Sequence, residues 1–151
     1  MLDLIEGKAM KGKCLCGEVK FEIVGKLSNL YQCHCSLCQK SSGSACNSSL
    51  ITDTNGVTWI RGEEKISSFT KENGYRSDFC SVCGSPVPNK MNIGDYMWIP
   101  AGLLEGAINK EIVARIYTES KASWEKVSEN VKNYPDGPGS VDALMSKLYQ
   151  H

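Results

Sequence analysis

Cysteines carry the chemical signal of this 151-residue sequence, and their spacing points to metal binding. Seven of the eight lie in groups of two or three, which are Cys14 and Cys16; Cys33, Cys35 and Cys38; and Cys80 and Cys83. Within a group the thiols are too close for an ordinary internal disulfide, but their spacing suits the sharing of one ion. The pattern therefore predicts metal sites rather than disulfide bonds.

Two of these groups together provide four thiolates. Cys14 and Cys16 precede a predicted strand, and the Cys-x-x-Cys-Gly run from Cys80 to Gly84 follows another. Four thiolates suit tetrahedral zinc with bonds of about 2.3 Å and leave no open position. We therefore predict a structural zinc on Cys14, Cys16, Cys80 and Cys83. The alternative is that these are reduced cysteines packed as small apolar side chains.

The third group, Cys33, Cys35 and Cys38, provides three thiolates and leaves one position open, as in catalytic zinc sites. If Cys33 and Cys35 alternate at a strand end, both face one side, Cys38 reaches back from a following turn, and His34 points away. Three thiolates make zinc a poor activator of water, so an external thiol suits the open position. Coordination deprotonates a thiol, which predicts a site that presents a thiolate to an electrophile.

Two other interpretations of this group stay open. Cys46 lies close in sequence and could close the site, which would make a second structural zinc and no enzyme. A redox dithiol among the three cysteines is the other interpretation, although the flanking pattern is not a βαβ unit. His34 would orient the loop, or would pass a proton if it faced the cavity.

The elements that position these cysteines read mainly as strands. Residues 17–24 alternate apolar and charged side chains, which is typical of a half-buried strand. Further strands are predicted over 28–33, 45–51, 57–61, 65–70, 75–80, 96–100 and 111–118. Turn signals such as Asn73-Gly74 separate them. Many short strands indicate a mainly antiparallel β domain.

Two helices are predicted near the end of the chain. Ser123 would cap the first, whose apolar face carries Trp124, Val127 and Val131. Ser140 would cap the second, whose apolar face carries Val141, Leu144, Met145 and Leu148. Core packing explains both faces. The Pro- and Gly-rich stretch 134–139 reads as a linker, so the predicted organisation is a leader over 1–10, a zinc domain over 11–135, and a linker with a C-terminal helix over 136–151.

Composition excludes several classes of protein. Seventeen basic residues balance seventeen acidic ones, so the chain lacks the basic excess of a protein that binds nucleic acid through phosphates. We find no apolar stretch long enough for a signal peptide or a membrane span. We therefore expect a cytoplasmic protein without nucleic-acid or membrane partners, in which thiols stay reduced. Its oligomeric state cannot be read from the sequence.

Three stretches of the sequence resemble one protein family. They are Cys14-Leu-Cys-Gly-Glu-Val-Lys-Phe21, Cys33-His-Cys-Ser-Leu-Cys-Gln-Lys-Ser-Ser-Gly43 and Phe79-Cys-Ser-Val-Cys-Gly-Ser-Pro86. Together they resemble the glutathione-dependent formaldehyde-activating (GFA) family, which includes the domain of centromere protein V. The resemblance runs from about 11 to 135. It implies a mainly β fold, a zinc-stapled β-tent of small antiparallel sheets with one or two short C-terminal helices.

The resemblance also implies a chemistry. The four-cysteine site would hold a structural zinc, and Cys33, Cys35 and Cys38 would hold a second zinc that binds the thiol of glutathione and carries catalysis. The family's named reaction joins glutathione and formaldehyde to S-hydroxymethylglutathione and is classed as a carbon–sulfur lyase reaction. Cys46 and the stretch 101–105 depart from the family pattern. The alternative is a non-catalytic zinc scaffold or a thiol carrier.

Three residues after the third cysteine group are candidate substrate contacts. Lys40 could pair with a carboxylate of glutathione, although a solvated lysine is the simpler interpretation. Ser41 and Gly43 belong to a turn whose amides could bind thiolates or a substrate oxygen. An ordinary helix end explains this turn equally well.

Overall fold

The computed structural model describes residues 10–150, which form two compact units. Of the described residues, the first unit comprises 10–27 together with Ile51–Ile108. The second comprises Ser28–Leu50 together with 109–150. The predicted leader over 1–10 lies outside the described residues except for Met10. The domain boundaries predicted at 11, 135 and 136 stay a prediction.

The described chain contains mostly short strands, which confirms the predicted mainly β class. The strands are β1 (Met10–Lys13), β2 (Lys20–Ile23), β3 (Leu30–Cys33), β4 (Asn47–Asp53), β5 (Val57–Arg61), β6 (Ile66–Thr70), β7 (Arg76–Cys80), β8 (Asn89–Lys90), β9 (Tyr96–Pro100), β10 (Ile112–Ile116) and β11 (Lys132–Tyr134). The α-helices are α1 (Ser36–Ser42) and α2 (Val141–Leu148), and four single 3₁₀ turns lie at Thr54–Gly56, Glu63–Lys65, Ala101–Leu103 and Thr118–Ser120.

The first unit is built from antiparallel pairs. β2 lies between β1 and β5, and two further pairs are β6 with β7 and β8 with β9. The alternation in β2 buries Phe21 and Ile23 and leaves their neighbours partly exposed. Phe21 meets Trp59 of β5 edge to face, with ring centroids 6.0 Å apart. Such cross-strand aromatic pairs stabilise a sheet beyond the area they bury.

The second unit mixes strand directions. β3 pairs antiparallel with β4, whereas β10 pairs parallel with both β3 and β11. The parallel pairs depart from the predicted antiparallel sheets, because β10 and β11 reach the sheet through long connections instead of hairpins. The last helix belongs to this unit: Leu148 is fully buried, and the Asn29 amide donates to the Leu148 carbonyl. Neither helix among residues 10–150 is long and apolar enough to cross a membrane.

The predicted strands are found with ends shifted by up to three residues. The structure adds β1, β8 and β11, which the sequence patterns do not indicate, and α1, of which they suggest only the end near Gly43. β8 and β11 have two and three residues, so they are too short to show a period. The prediction of an Asn73-Gly74 turn is confirmed by the hairpin of β6 and β7.

The helix predicted over 123–131 is wrong. The described chain has no helix between Lys121 and β11, and Trp124 is 71% exposed instead of packed in a core. The Ser128 carbonyl accepts hydrogen bonds from the side chains of Arg115 and Asn133. These bonds, together with a local bond that the Asn130 N–H donates to the Ser128 hydroxyl, compete with helical hydrogen bonding.

Candidate metal centres

Four sulfur atoms meet in the first unit. The Sγ atoms of Cys14, Cys16, Cys80 and Cys83 all lie within 4.8 Å of one another. Cys16 Sγ is 3.6 Å from Cys14 Sγ and 3.8 Å from Cys80 Sγ. A tetrahedral zinc with Zn–S bonds of about 2.3 Å needs sulfurs about 3.8 Å apart. These two distances match that spacing, and we call the group the four-sulfur cluster.

Two tight turns bring these sulfurs together. Cys14 follows β1 directly, and its N–H donates to the Val19 carbonyl at 3.0 Å, which extends the hairpin toward β2. Cys80 ends β7, and the Gly84 N–H closes the next turn on the Cys80 carbonyl at 2.8 Å. Gly84 has φ +80°, a conformation that glycine adopts without a steric penalty. Cys14, Val19 and Cys80 are buried in one apolar cluster, so the turns are anchored in the core.

Backbone amides direct hydrogen bonds at the sulfurs of the first turn. The Val19 N–H donates to Cys14 Sγ at 3.3 Å, and the Glu18 backbone hydrogen-bonds to the sulfur of Cys16. Such bonds stabilise the thiolate form, which is the form that binds metal.

Ser85 plays the same part at the second turn. Its hydroxyl accepts a hydrogen bond from the Leu15 N–H at 2.9 Å and lies 3.4 Å from Cys83 Sγ. Hydrogen bonding by the Ser85 side chain is the largest of the effects that lower the pKa of Cys83 to about 5. Ser85 thus links the two turns and favours the thiolate of Cys83.

Three sulfur atoms meet in the second unit. The Sγ atoms of Cys33, Cys35 and Cys38 lie within 4.8 Å of one another, and we call them the three-sulfur cluster. Cys33 ends β3, Cys35 is the N-cap of α1, and Cys38 lies in the first turn of that helix. The structure therefore has a helix where the sequence suggests a simple turn. Cys33 and Cys38 are each only 9% exposed.

The hydrogen bonds within this cluster favour negative charge on Cys35. Hydrogen bonds from Cys33, and then from Cys38, lower the pKa of the Cys35 thiol to about 2. The same contact with Cys35 raises the pKa of Cys33. The Cys38 N–H also donates to Cys35 Sγ at 3.4 Å, and the Leu37 backbone adds a further bond.

His34 does not join the three-sulfur cluster. Its ring is fully buried, and its Nε2 lies 3.2 Å from Oε1 of Glu125. Its N–H donates to the Ile116 carbonyl at 2.9 Å. Its carbonyl accepts from Nε2 of Gln39, which also donates to the Ser120 carbonyl. These contacts fix the loop that carries the three cysteines.

Cys46 stands apart from the three-sulfur cluster. Its side chain hydrogen-bonds to Ser48 and feels the charges of Glu125 and Arg115, and burial raises the pKa of its thiol. Within residues 10–150, no fourth cysteine sulfur completes the three-sulfur cluster. The two clusters therefore differ in the number of sulfur ligands that the chain can supply.

The predicted substrate contacts lie on and beyond the last turn of α1. Lys40 is exposed there. The Ser41 hydroxyl donates to the Cys38 carbonyl and accepts from the Asn47 amide. The Gly43 N–H donates to a carbonyl of α1 and ends the helix. The contacts of Ser41 and Gly43 favour the helix-end interpretation, and a substrate contact through any of the three stays a prediction.

Several residues around the clusters escape sequence reasoning. Ser85, Gln39, Asn47 and Glu125 contact a cysteine, or the loop that carries the cysteines, through hydrogen bonds or charge. Ser85 and Gln39 follow a cysteine closely, so their proximity in sequence is a usable signal. Asn47 and Glu125 are brought to the loop by chain pairing and by long-range packing, and nothing in their sequence neighbourhood indicates this.

Comparison with known proteins gives a family and a fold. The model of the family described as "Glutathione-dependent formaldehyde-activating enzyme" matches residues 9–120. No functionally curated protein matches the chain. A crystal structure of a Rhodobacter sphaeroides protein from a structural genomics programme is similar, with a TM-score of 0.56 and 22% sequence identity. The similarity covers 66% of this chain and 92% of that chain. At this identity the crystal structure supports the fold alone.

Proposed function

We propose the following function for this chain, which belongs to the glutathione-dependent formaldehyde-activating family. It binds a small thiol, with glutathione the leading candidate, at a zinc ion held by Cys33, Cys35 and Cys38. It then promotes the reversible addition of that thiol to an aldehyde such as formaldehyde. The activity would be a carbon–sulfur lyase of the S-(hydroxymethyl)glutathione synthase type.

The observation that carries this proposal is that the two clusters differ in their number of cysteine sulfurs. The first cluster supplies four thiolates, which saturate a tetrahedral ion, and the second supplies three. A fourth ligand at the three-sulfur cluster must then come from elsewhere, and a ligand that exchanges can be a substrate. A soft thiolate matches the sulfur donors already present.

The donor chemistry of both clusters fits zinc. All seven side chains are thiols free of disulfides, and zinc accepts three or four thiolate ligands in proteins. When bound by three cysteines, zinc would lower the pKa of an external thiol so that it is a thiolate at neutral pH. The amides of Leu37 and Cys38 donate to Cys35 Sγ, and this stabilises the excess negative charge of such a site.

The reaction balances without a further co-reactant. The thiol sulfur forms a bond to the aldehyde carbon, the carbonyl π bond breaks, and the thiol proton ends on the former carbonyl oxygen. The chain would contribute binding and orientation of the thiol. Lys40 is exposed near the cluster in sequence and carries the positive charge that a glutathione carboxylate would need. Salt bridges at exposed lysines are weak, so we assign Lys40 a supporting part in affinity.

The compartment follows from the same chemistry. The proposed zinc sites need deprotonated cysteine ligands that are not joined in disulfides, and thiols stay reduced in the cytoplasm. We therefore propose the cytoplasm, where thiols stay reduced, as the place of action and small molecules as the partners.

The experiment is an exchange measurement. Nuclear magnetic resonance would follow the interconversion of glutathione and formaldehyde with S-hydroxymethylglutathione in buffer, with the parent chain, and with Cys35→Ser. We expect faster exchange with the parent chain only. No acceleration over buffer and free glutathione would reject the catalytic proposal.

Metal content and calorimetry separate the remaining outcomes. Two zinc ions and glutathione affinity without acceleration would indicate a thiol carrier. A single zinc ion would indicate a scaffold. In the Cys46→Ser variant we expect both metals to be kept, because Cys46 lies outside the cluster. Loss of one metal in that variant would mean that the chain closes its own site.

A further inference from the structure

The three sulfurs of the three-sulfur cluster receive their hydrogen bonds from different sources. The backbone of Cys35 bonds to the sulfur of Cys33, and the backbone amides of Leu37 and Cys38 bond to the sulfur of Cys35. The Asn47 side chain is hydrogen-bonded to the sulfur of Cys38. Asn47 is thus the donor among these that belongs to a side chain, so a substitution can remove it while the backbone donors stay.

The surroundings hold the Asn47 amide in place. Asn47 begins β4 and lies directly opposite Cys33 in the pairing of β3 with β4. Its Nδ2 donates to Ser41 Oγ at 3.3 Å, and the Ser41 hydroxyl in turn donates to the Cys38 carbonyl. The amide is therefore fixed by strand pairing and by α1, and its second N–H is available for the Cys38 sulfur.

We propose that Asn47 is a positioning residue of the three-sulfur cluster. Asn47 holds Cys38 in place and reduces the electron donation from the Cys38 sulfur to a bound ion. This inference rests on the proposed function, because it assumes an ion at the cluster. A site with three thiolates and an external thiolate carries two excess negative charges. A neutral donor to one sulfur stabilises that charge, and hydrogen bonds to charged groups are among the stronger ones.

The substitutions follow from the geometry. Asn47→Ala removes the donor, and Asn47→Asp keeps the shape but replaces the donor with a negative charge. Ser41→Ala leaves Asn47 in place without its anchor. Asn55→Ala is the matched control, since it makes the same truncation at an exposed position in a 3₁₀ turn.

The measurement uses cobalt as a spectroscopic probe. The full chain is purified with zinc, one ion is removed by mild chelation, and Co²⁺ replaces it at the three-sulfur cluster while silent zinc stays at the other. We expect the sulfur-to-cobalt charge-transfer band of Asn47→Ala to move to longer wavelength, because an unbonded thiolate gives up electrons more easily. We expect affinity for the ion to fall about 10-fold in Asn47→Ala and up to about 100-fold in Asn47→Asp. Ser41→Ala should lie between the parent and Asn47→Ala.

Each outcome bears on the proposal. An unmoved band and unchanged affinity in both Asn47 variants would overturn it, and so would equal changes in Asn55→Ala. If Asn47→Ala loses its circular dichroism signal because it does not fold, the isosteric Asn47→Asp is used instead to test the proposal. If the parent takes up no ion at the three-sulfur cluster, the proposed function and this inference both fall. If the bands shift but thiol exchange is not accelerated, only the catalytic function fails.

Discussion

The two sulfur clusters share a ligand type but differ in how the chain assembles them. The four-sulfur cluster joins residues that are 64 positions apart, such as Cys16 and Cys80, and its turns are anchored in an apolar core. The three-sulfur cluster is local, because Cys33, Cys35 and Cys38 lie on one strand end and the helix that follows it. An ion in the first therefore closes a long loop, whereas an ion in the second only fixes a short turn.

Because of this difference, we expect the four-sulfur cluster to contribute mainly to folding stability and the three-sulfur cluster mainly to substrate chemistry. Metal binding that joins distant segments contributes directly to folding free energy, because the unfolded chain does not hold the site together. A local site with an open position contributes less to the fold and leaves its ion available to a substrate. The following predictions test this separation, from the largest expected effect to the smallest.

The largest difference should appear when one ligand of each cluster is replaced. Cys80→Ser should lower the free energy of unfolding by at least about 3 kcal/mol, because loss of a structural metal is among the most destabilising changes. Cys35→Ser should cost less than about 1 kcal/mol and abolish thiol binding. Denaturant unfolding followed by circular dichroism, with metal content by mass spectrometry, measures both. Equal destabilisation by Cys80→Ser and Cys35→Ser would contradict these different roles of the two clusters.

A smaller effect should follow from crowding the four-sulfur cluster without touching its ligands. Gly62 has φ +81°, and a Cβ there would overlap the Glu18 carbonyl, next to the backbone that supports Cys16. Gly62→Ala should therefore lower the free energy of unfolding by about 2 kcal/mol. Gly102→Ala is the control, since Gly102 has no neighbour within 4 Å of an added Cβ and a negative φ. Thermal melts of both variants measure the difference. Similar melting temperatures for Gly62→Ala and Gly102→Ala would show that overlap with the Glu18 carbonyl does not destabilise the fold.

The smallest effect concerns charge beside the four-sulfur cluster. A hydrogen bond from Lys65, its charge, and the charge of Arg61 lower the pKa of Glu18. A lowered pKa in the folded state means that ionised Glu18 stabilises the fold above its ordinary pKa of 4.5, and that this contribution is lost as the pH falls through the folded value. Lys65→Met should raise the pKa of Glu18 and shrink this contribution.

The titration of Glu18 is best followed by carboxyl chemical shifts in the parent and in Lys65→Met. Comparison at each pH cancels the effect of acid on the cysteine ligands, which both chains share. The effect on stability should be small, because Glu18 and Lys65 are partly exposed and solvent screens their attraction. An unchanged Glu18 pKa in the variant would mean that the ion pair is not formed in solution.

The sequence predicts the strands better than the connections between them. The alternation in 17–24 places β2 correctly, since an apolar period of two directly reflects which side chains are buried. The pattern of apolar residues is misleading at 123–131. There it suggests a helix, but the Ser128 carbonyl accepts hydrogen bonds from the side chains of Arg115 and Asn133. Asn133 lies five residues after Ser128, but Arg115 lies 13 residues before it on β10, so the apolar period of 123–131 could not indicate that contact.

The parallel pairs of β10 are a second feature beyond the reach of local patterns. Its partner strands are separated from it along the chain, and the parallel direction depends on the path of long connections. The helix α1 is hidden for a different reason. Three of its seven residues are serine and one is cysteine, whose intrinsic helix preference is weak, and capping by Cys35 and Gly43 defines its ends.

The sequence by itself determined which cysteines act together, because thiols one or two residues apart share an ion more readily than they form a disulfide. It also determined the family, through runs of residues around those thiols. Only the tertiary structure decided that Cys46 stays outside the three-sulfur cluster, and that Asn47 reaches Cys38 from a neighbouring strand. The physical reason is that strand pairing and burial set these distances, and both depend on residues far away in the chain.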